Sequence, residues 1–248
     1  MKKTLYLTLA LFFVTQFVLA GDHHGPHWTY EGHSGPEHWG ELDPAFKTCE
    51  TGKSQSPVNL VWSRTQGKGP IEFSYKDSPL KIIDNGHTVQ VNFEKGSTAK
   101  IRGHEYALVQ MHFHTPSEHT LSSKNFPIEL HFVHKDADGK LAVIGVMYKK
   151  GTNHPGIETI WSHVPSTKGE EKTFADIHIN PSLFLPKVRT YYNYIGSLTT
   201  PPCSEGVNWN VLNTPVELSS AQIAAFQKIY SSNNRPVQFL NGRKPANF

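Results

Sequence analysis

Two short segments hold the residues best suited to chemistry. Gln110-Met111-His112-Phe113-His114 and Glu129-Leu130-His131-Phe132-Val133-His134 both carry histidines within an apolar frame. On a strand, successive side chains alternate between faces, so Gln110, His112 and His114 point one way while Met111 and Phe113 point the other. In the second segment Glu129, His131 and Val133 share a face, opposite Leu130, Phe132 and His134. If the two strands are neighbours, three imidazoles meet at one place, the ligand set of a catalytic zinc with one coordination position open. Gln110 and Glu129, each two residues before a histidine on the same face, are placed to accept the second ring N–H of those ligands. The same spacing also fits a surface pair or hydrogen-bonded, half-buried rings, and a His-x-His alone does not choose between these readings. His23, His24 and His27 form another group, read as solvated residues or adventitious metal binders.

These residues need a sheet to hold them. Strand patterns bounded by turn residues recur at Ile71–Tyr75, Leu80–Ile83, Thr88–Phe93, Ala107–His114, Ile128–His134 and Leu141–Tyr148, with a later one at Val207–Leu212. Asp84-Asn85-Gly86, Lys95-Gly96-Ser97 and Arg102-Gly103 supply the breaks. One helix is legible late, where Ser219 and Gln222 form a capping-box pattern and Ile223, Phe226 and Tyr230 share a face. The chain of 248 residues shows no repeat and no linker, so one large domain is expected. Its fold class is mainly β (α+β): a single domain on a large, mostly antiparallel twisted sheet with short peripheral helices. With 24 Lys+Arg against 21 Asp+Glu and no basic block, nucleic acid is excluded as the main partner. The 14 Phe, 9 Tyr and 5 Trp can fill a sizeable core, which excludes a wholly disordered chain. The 15 histidines are the compositional outlier.

Met1-Lys2-Lys3, an apolar run from Leu5 to Leu19 and small residues up to Ala20 describe a secretory signal peptide cleaved after Ala20. Residues 1–20 are then the leader and 21–248 the mature domain. An uncleaved anchor is the alternative, although the run is short for a bilayer span. No later stretch would span a membrane. Cys49 and Cys203 are the only cysteines. In an oxidising compartment an even pair points to a disulfide, with free structural thiols as the alternative.

The stretch Gln110-Met111-His112-Phe113-His114-Thr115-Pro116-Ser117-Glu118-His119-Thr120 closely resembles the zinc signature of the α-class carbonic anhydrases. Gly35-Pro36-Glu37-His38-Trp39, Gln55-Ser56-Pro57-Val58-Asn59, Asn85-Gly86-His87, Gly196-Ser197-Leu198-Thr199-Thr200-Pro201-Pro202 and Asn233-Asn234-Arg235-Pro236 follow the same family in order. The resemblance runs from about Trp28 to the C-terminus. It implies a roughly ten-stranded sheet with zinc at the floor of a conical cleft. His112, His114 and His131 would be the zinc ligands, supported by Gln110 and Glu129. Thr199 would accept a bond from zinc-bound hydroxide and donate to Glu118, and His87 would shuttle protons. Val133, Val143, Leu198 and Trp209 would form the apolar wall for carbon dioxide. Tyr30, Asn85, Gln90 and Thr200 would order water between zinc and His87, with Thr200 also bordering the substrate. His119 resembles a structural position.

The implied activity is reversible hydration of CO₂ to bicarbonate and a proton, with CO₂ and bicarbonate as the partners. Thr115-Pro116 stands where animal cytosolic members carry Trp-Gly, as in bacterial and some plant relatives. The cysteine positions also resemble the disulfide of exported bacterial members. A periplasmic location is therefore expected, otherwise secretion, and the resemblance allows a homodimer. The alternatives are an inactive relative acting as a binding protein, a periplasmic zinc-binding protein and a dedicated esterase.

Overall fold

The structure is a computed structural model that describes residues 26–62 and 69–248. The expected leader, 1–20, and His23 and His24 lie outside the described residues. The strands are β1 (Asn59–Leu60), β2 (Ile71–Ser74), β3 (Ser78–Asp84), β4 (Val89–Asn92), β5 (Thr98–Ile101), β6 (His104–His114) and β7 (Thr120–Leu121). They continue as β8 (Ile128–Lys135), β9 (Leu141–Lys150), β10 (Glu171–Ile179), β11 (Tyr191–Ser197), β12 (Glu205–Leu218) and β13 (Ala246–Asn247). Eleven of them make one sheet in the order β10-β3-β4-β6-β8-β9-β12-β11-β13, with β5 bridging β6 and β2. β12 runs parallel to β9, and the other pairings in this sheet are antiparallel. No described helix is long and apolar enough to cross a membrane.

The neighbour condition set by the histidine spacing is met by β6 and β8. Their register places His112 opposite His131 and His114 opposite Glu129, with a bulge between Leu108 and Gln110. Alternation then divides the two faces. Met111, Phe113, Leu130 and Phe132 enter the larger apolar cluster together with Ile144, Tyr148 and Phe226. Burying side chains of this size contributes roughly 2 kcal/mol each, which holds the strand pair flat against its core. The opposite face carries the histidines beside a smaller cluster built on Val143, Tyr194, Val207 and Trp209. A register slip of one residue would send the imidazoles into the larger cluster, so the apolar pattern also fixes the chemistry.

The late helix α4 differs little from its pattern. Among the described helices, α1 (Trp39–Leu42), α2 (Thr48–Thr51) and α3 (Pro155–Trp161) are short, and α4 (Ser220–Ile229) is the longest. Ser219 and Gln222 satisfy each other's backbone N–H groups in a complete capping box. Cys49 and Cys203 form a disulfide across 154 positions, with Cα atoms 5.0 Å apart. It ties α2 to the loop after β11, where Cys203 N donates to Thr200 O at 2.8 Å.

Candidate active site

His112, His114 and His131 offer ring nitrogens that all lie within 4.8 Å of one another. Each ring is aimed by a bond on its far side. His112 Nδ1 meets Gln110 Oε1 at 2.8 Å, His114 Nδ1 meets Asn233 O at 2.7 Å, and His131 Nε2 meets Glu129 Oε1 at 2.8 Å. These partners are carbonyl or carboxylate oxygens, which only accept, so the engaged nitrogen must carry the proton. In the neutral form a metal requires, the inner nitrogen of each ring is the one whose lone pair is bare. Burial pushes the pKa of His112 well below the ordinary range and lowers that of His114. His114 Nε2 is buried without a hydrogen-bond partner. Such an orphan in a polar cluster fits a missing ligand-to-ion bond, and the donor set fits a metal held by three imidazoles.

Glu129 anchors this arrangement from below. It accepts from His131, from the His119 ring at 2.8 Å and from His119 N at 2.8 Å. Burial would raise its pKa, but the electrostatic pull and hydrogen bonds of the His119 and His131 ring N–H groups outweigh this and hold it well below the carboxylate range. Gly145, paired with His131 in register, leaves room for it: a Cβ there would stand 3.0 Å from Glu129 Oε1.

Glu118 is fully buried, and its Oε1 accepts from Arg235 N at 2.8 Å. Its Oε2 has no hydrogen-bond partner and lies 3.7 Å from His114 Nε2 and 3.9 Å from His131 Nδ1. Among the described residues no hydrogen bond joins Thr199 to Glu118, the bond expected from the resemblance, and Oε2 remains without a hydrogen-bond partner. Thr199 itself is buried.

A pocket of about 130 Å³ runs from His112 and His114 to His87, bordered by Trp28, Tyr30, Asn85, Gln90 and Thr200. Asn85 Nδ2 donates to Gln90 Oε1 at 3.3 Å, and Asn85 Oδ1 accepts from His87 N at 2.9 Å. Gly86 takes φ +88°, where a side chain would strain the turn that presents His87. The His87 ring stacks on Trp28 with centroids 3.7 Å apart and planes 7° from parallel. Its pKa is lowered, first by burial and then by the charges of His27 and Lys168. Val143 and Trp209 lie in the smaller apolar cluster, with Val133 and Leu198 packed against it. That cluster adjoins the histidines, since the Trp209 and His131 rings meet at 4.9 Å.

Comparisons with known proteins agree with this geometry. The model of the eukaryotic-type carbonic anhydrase family matches residues 34–246. A carbonic anhydrase of Pectobacterium atrosepticum is 46% identical over 88% of this chain and 89% of its own length. The chain belongs to the α-class carbonic anhydrases, a family of enzymes. The solved α-carbonic anhydrase of Thermovibrio ammonificans, in complex with the inhibitor sulfanilamide, superposes with TM-score 0.86 at 42% identity, over 90% of this chain and 99% of that one. A hyperthermostable carbonic anhydrase from a hydrothermal vent chimney gives 0.85 at 45% identity, over 90% and 100%.

Two residues around the carbonic anhydrase site had no role assigned from the sequence. Asn233 uses its carbonyl on His114, its Oδ1 on Thr115 N, and its Nδ2 on the carbonyls of His87 and Phe113. It thereby joins ligand and turn across the cleft. Arg235, also buried, sends its guanidinium to Gln55 Oε1 and to the carbonyls of Ser56 and Cys49. Both lie more than one hundred positions from the three histidines, as the His114–Asn233 separation of 119 illustrates. Periodicity carries no signal over that range, and only the ordered Asn233–Pro236 motif hinted at them.

Proposed function

We propose that the enzyme catalyses reversible hydration of carbon dioxide to bicarbonate and a proton, with zinc held by His112, His114 and His131. The observation that carries this reading is the set of far-side acceptors, which leaves three bare imidazole lone pairs facing one another beside an apolar wall. Zinc, when bound there, supplies Lewis acidity that makes a water molecule nucleophilic near neutral pH. Val133, Val143, Leu198 and Trp209 hold the apolar substrate and keep competing water from its carbon. Thr199 would orient the attacking oxygen once its hydroxyl donates to Glu118 Oε2, which makes no hydrogen bond in the structure and is free to accept it. His87 takes the released proton at a ring nitrogen through water held by Tyr30, Asn85, Gln90 and Thr200. Its lowered pKa keeps the ring neutral and ready to accept at pH 7.

The reading includes export. Residues 1–20 act as a cleaved leader, and 21–248 function in the periplasm, which the Cys49–Cys203 disulfide supports. The test is stopped-flow CO₂ hydration by the mature chain, with zinc measured on the same sample. Rapid hydration at one zinc per chain, lost on chelation, is expected. One zinc without hydration would overturn the enzymatic reading in favour of a binding protein.

A further inference from the structure

Trp28, Tyr30 and His87 form a wall shared by two cavities. The inner one is the pocket of about 130 Å³ that reaches His112 and His114. The outer one, of about 380 Å³, is lined by the same three residues and is large enough for a small ligand. Its lining adds His27, Lys168, Ser231 and Glu31. Lys168 has no acidic partner among the described ion pairs, and its ammonium stands 5.3 Å from the centre of the Tyr230 ring. The Tyr230 hydroxyl donates to Asp84, which fixes the ring beneath that ammonium. Ser231 is exposed, and its hydroxyl makes no described hydrogen bond. Two basic residues and a free hydroxyl therefore face one carboxylate, that of Glu31.

Resting on the function proposed above, we propose that this outer cavity docks the anionic base that discharges His87, an oxyanion of the dibasic phosphate class. The step is a proton transfer: the N–H bond of the His87 imidazolium breaks, and an O–H bond forms on the dianion. Neutral imidazole and the monoanion are the products. Position argues for this role, because a shuttle ring that closes the inner pocket must pass its proton outward, and the outer cavity is where that face emerges. Charge argues for the class of acceptor. The Lys168 ammonium, which has no acidic partner among the described ion pairs, attracts a dianion, holds the monoanion less tightly and repels a buffer that leaves as a cation. The stacked Trp28 ring gives the dock one rigid side.

The test measures hydration at saturating CO₂ while either phosphate or a neutral imidazole buffer is varied. It uses the full mature zinc-loaded chain and the exposed-site variants Lys168→Glu and Ser231→Ala. The expected wild-type rate saturates with phosphate. Lys168→Glu raises the half-saturating phosphate concentration several-fold and leaves that for imidazole, and kcat/KM for CO₂, unchanged. Lys168 also acts on the His87 pKa, so a plateau change common to both buffers is assigned to the shuttle itself, not to docking. A rate that rises linearly with phosphate, or variants that shift both buffers equally, would overturn the dock. In a second measurement, phosphate is titrated against the Trp28 indole N–H signal by NMR. A saturable shift weakened by Lys168→Glu is expected, and no shift overturns the proposal. Absence of hydration in both buffers would instead overturn the proposed function, and the indole titration would still decide whether the cavity binds phosphate.

Discussion

At the floor of the cleft, three histidines stand on two paired strands, and each ring is aimed by an acceptor that is itself fixed. At the rim, His87 sits on a glycine turn and is held by one stacked ring and two backbone bonds, from Asn85 and Asn233. The floor is almost dry: His114, Glu118, His119, Glu129 and His131 are all at most 1% exposed. The rim is half-buried and open on its outer side. The difference follows from what each region must do. Holding a metal needs neutral rings in one geometry, which burial and committed hydrogen bonds enforce. Passing a proton needs a group whose two sides see different water, which a fully buried ring could not provide.

The largest expected effect is at the floor. His131→Ala should abolish metal binding and hydration together, measured as zinc per chain and as initial rate. Next is Glu129→Ala, which leaves His131 and His119 without their shared acceptor. Metal affinity should fall by roughly 10- to 100-fold in chelator competition. Trp28→Ala at the rim should leave that affinity unchanged, and an equal loss there would erase the distinction.

Acid should discriminate between the regions too. His134, on the core side of β8, has its pKa lowered to about 4 by burial, with Tyr75 OH on Nε2 and Phe132 O on Nδ1. Its folded pKa lies below the unfolded value, so the unfolded chain binds the extra proton first. This contribution is present above about pH 6.5 and is lost as pH falls toward 4, at about 3 kcal/mol in all. Urea unfolding from pH 7 to 4.5 should show a shallower loss in His134→Gln than in the wild type. The smallest effect is expected from Trp28→Ala itself: a few-fold change in the weak-buffer hydration rate, with kcat/KM for CO₂ unaltered.

The floor was largely legible in the sequence because its determinants are local. Alternation set which residues of β6 and β8 share a face, and the capping box announced α4. Strand ends were less legible: β12 runs Glu205–Leu218 where the pattern covers Val207–Leu212, since its flanks are polar. β10 was missed because it is an exposed edge strand with an irregular register between Phe174 and His178. The expected roles of Glu118, Thr199 and His87 came from the resemblance, because a lone carboxylate, threonine or turn histidine carries no periodic signal. The bond from Arg235 N to Glu118 Oε1 could not be read locally at all, because 117 positions separate the two residues.

The separation of metal chemistry at the floor from proton export at the rim is tested most directly by His87→Ala in weak buffer. Zinc content and kcat/KM for CO₂ should match the wild type, while kcat falls on the order of tenfold or more and recovers with added imidazole. A parallel fall in kcat and kcat/KM that imidazole does not restore, or no fall in kcat at all, would contradict the account.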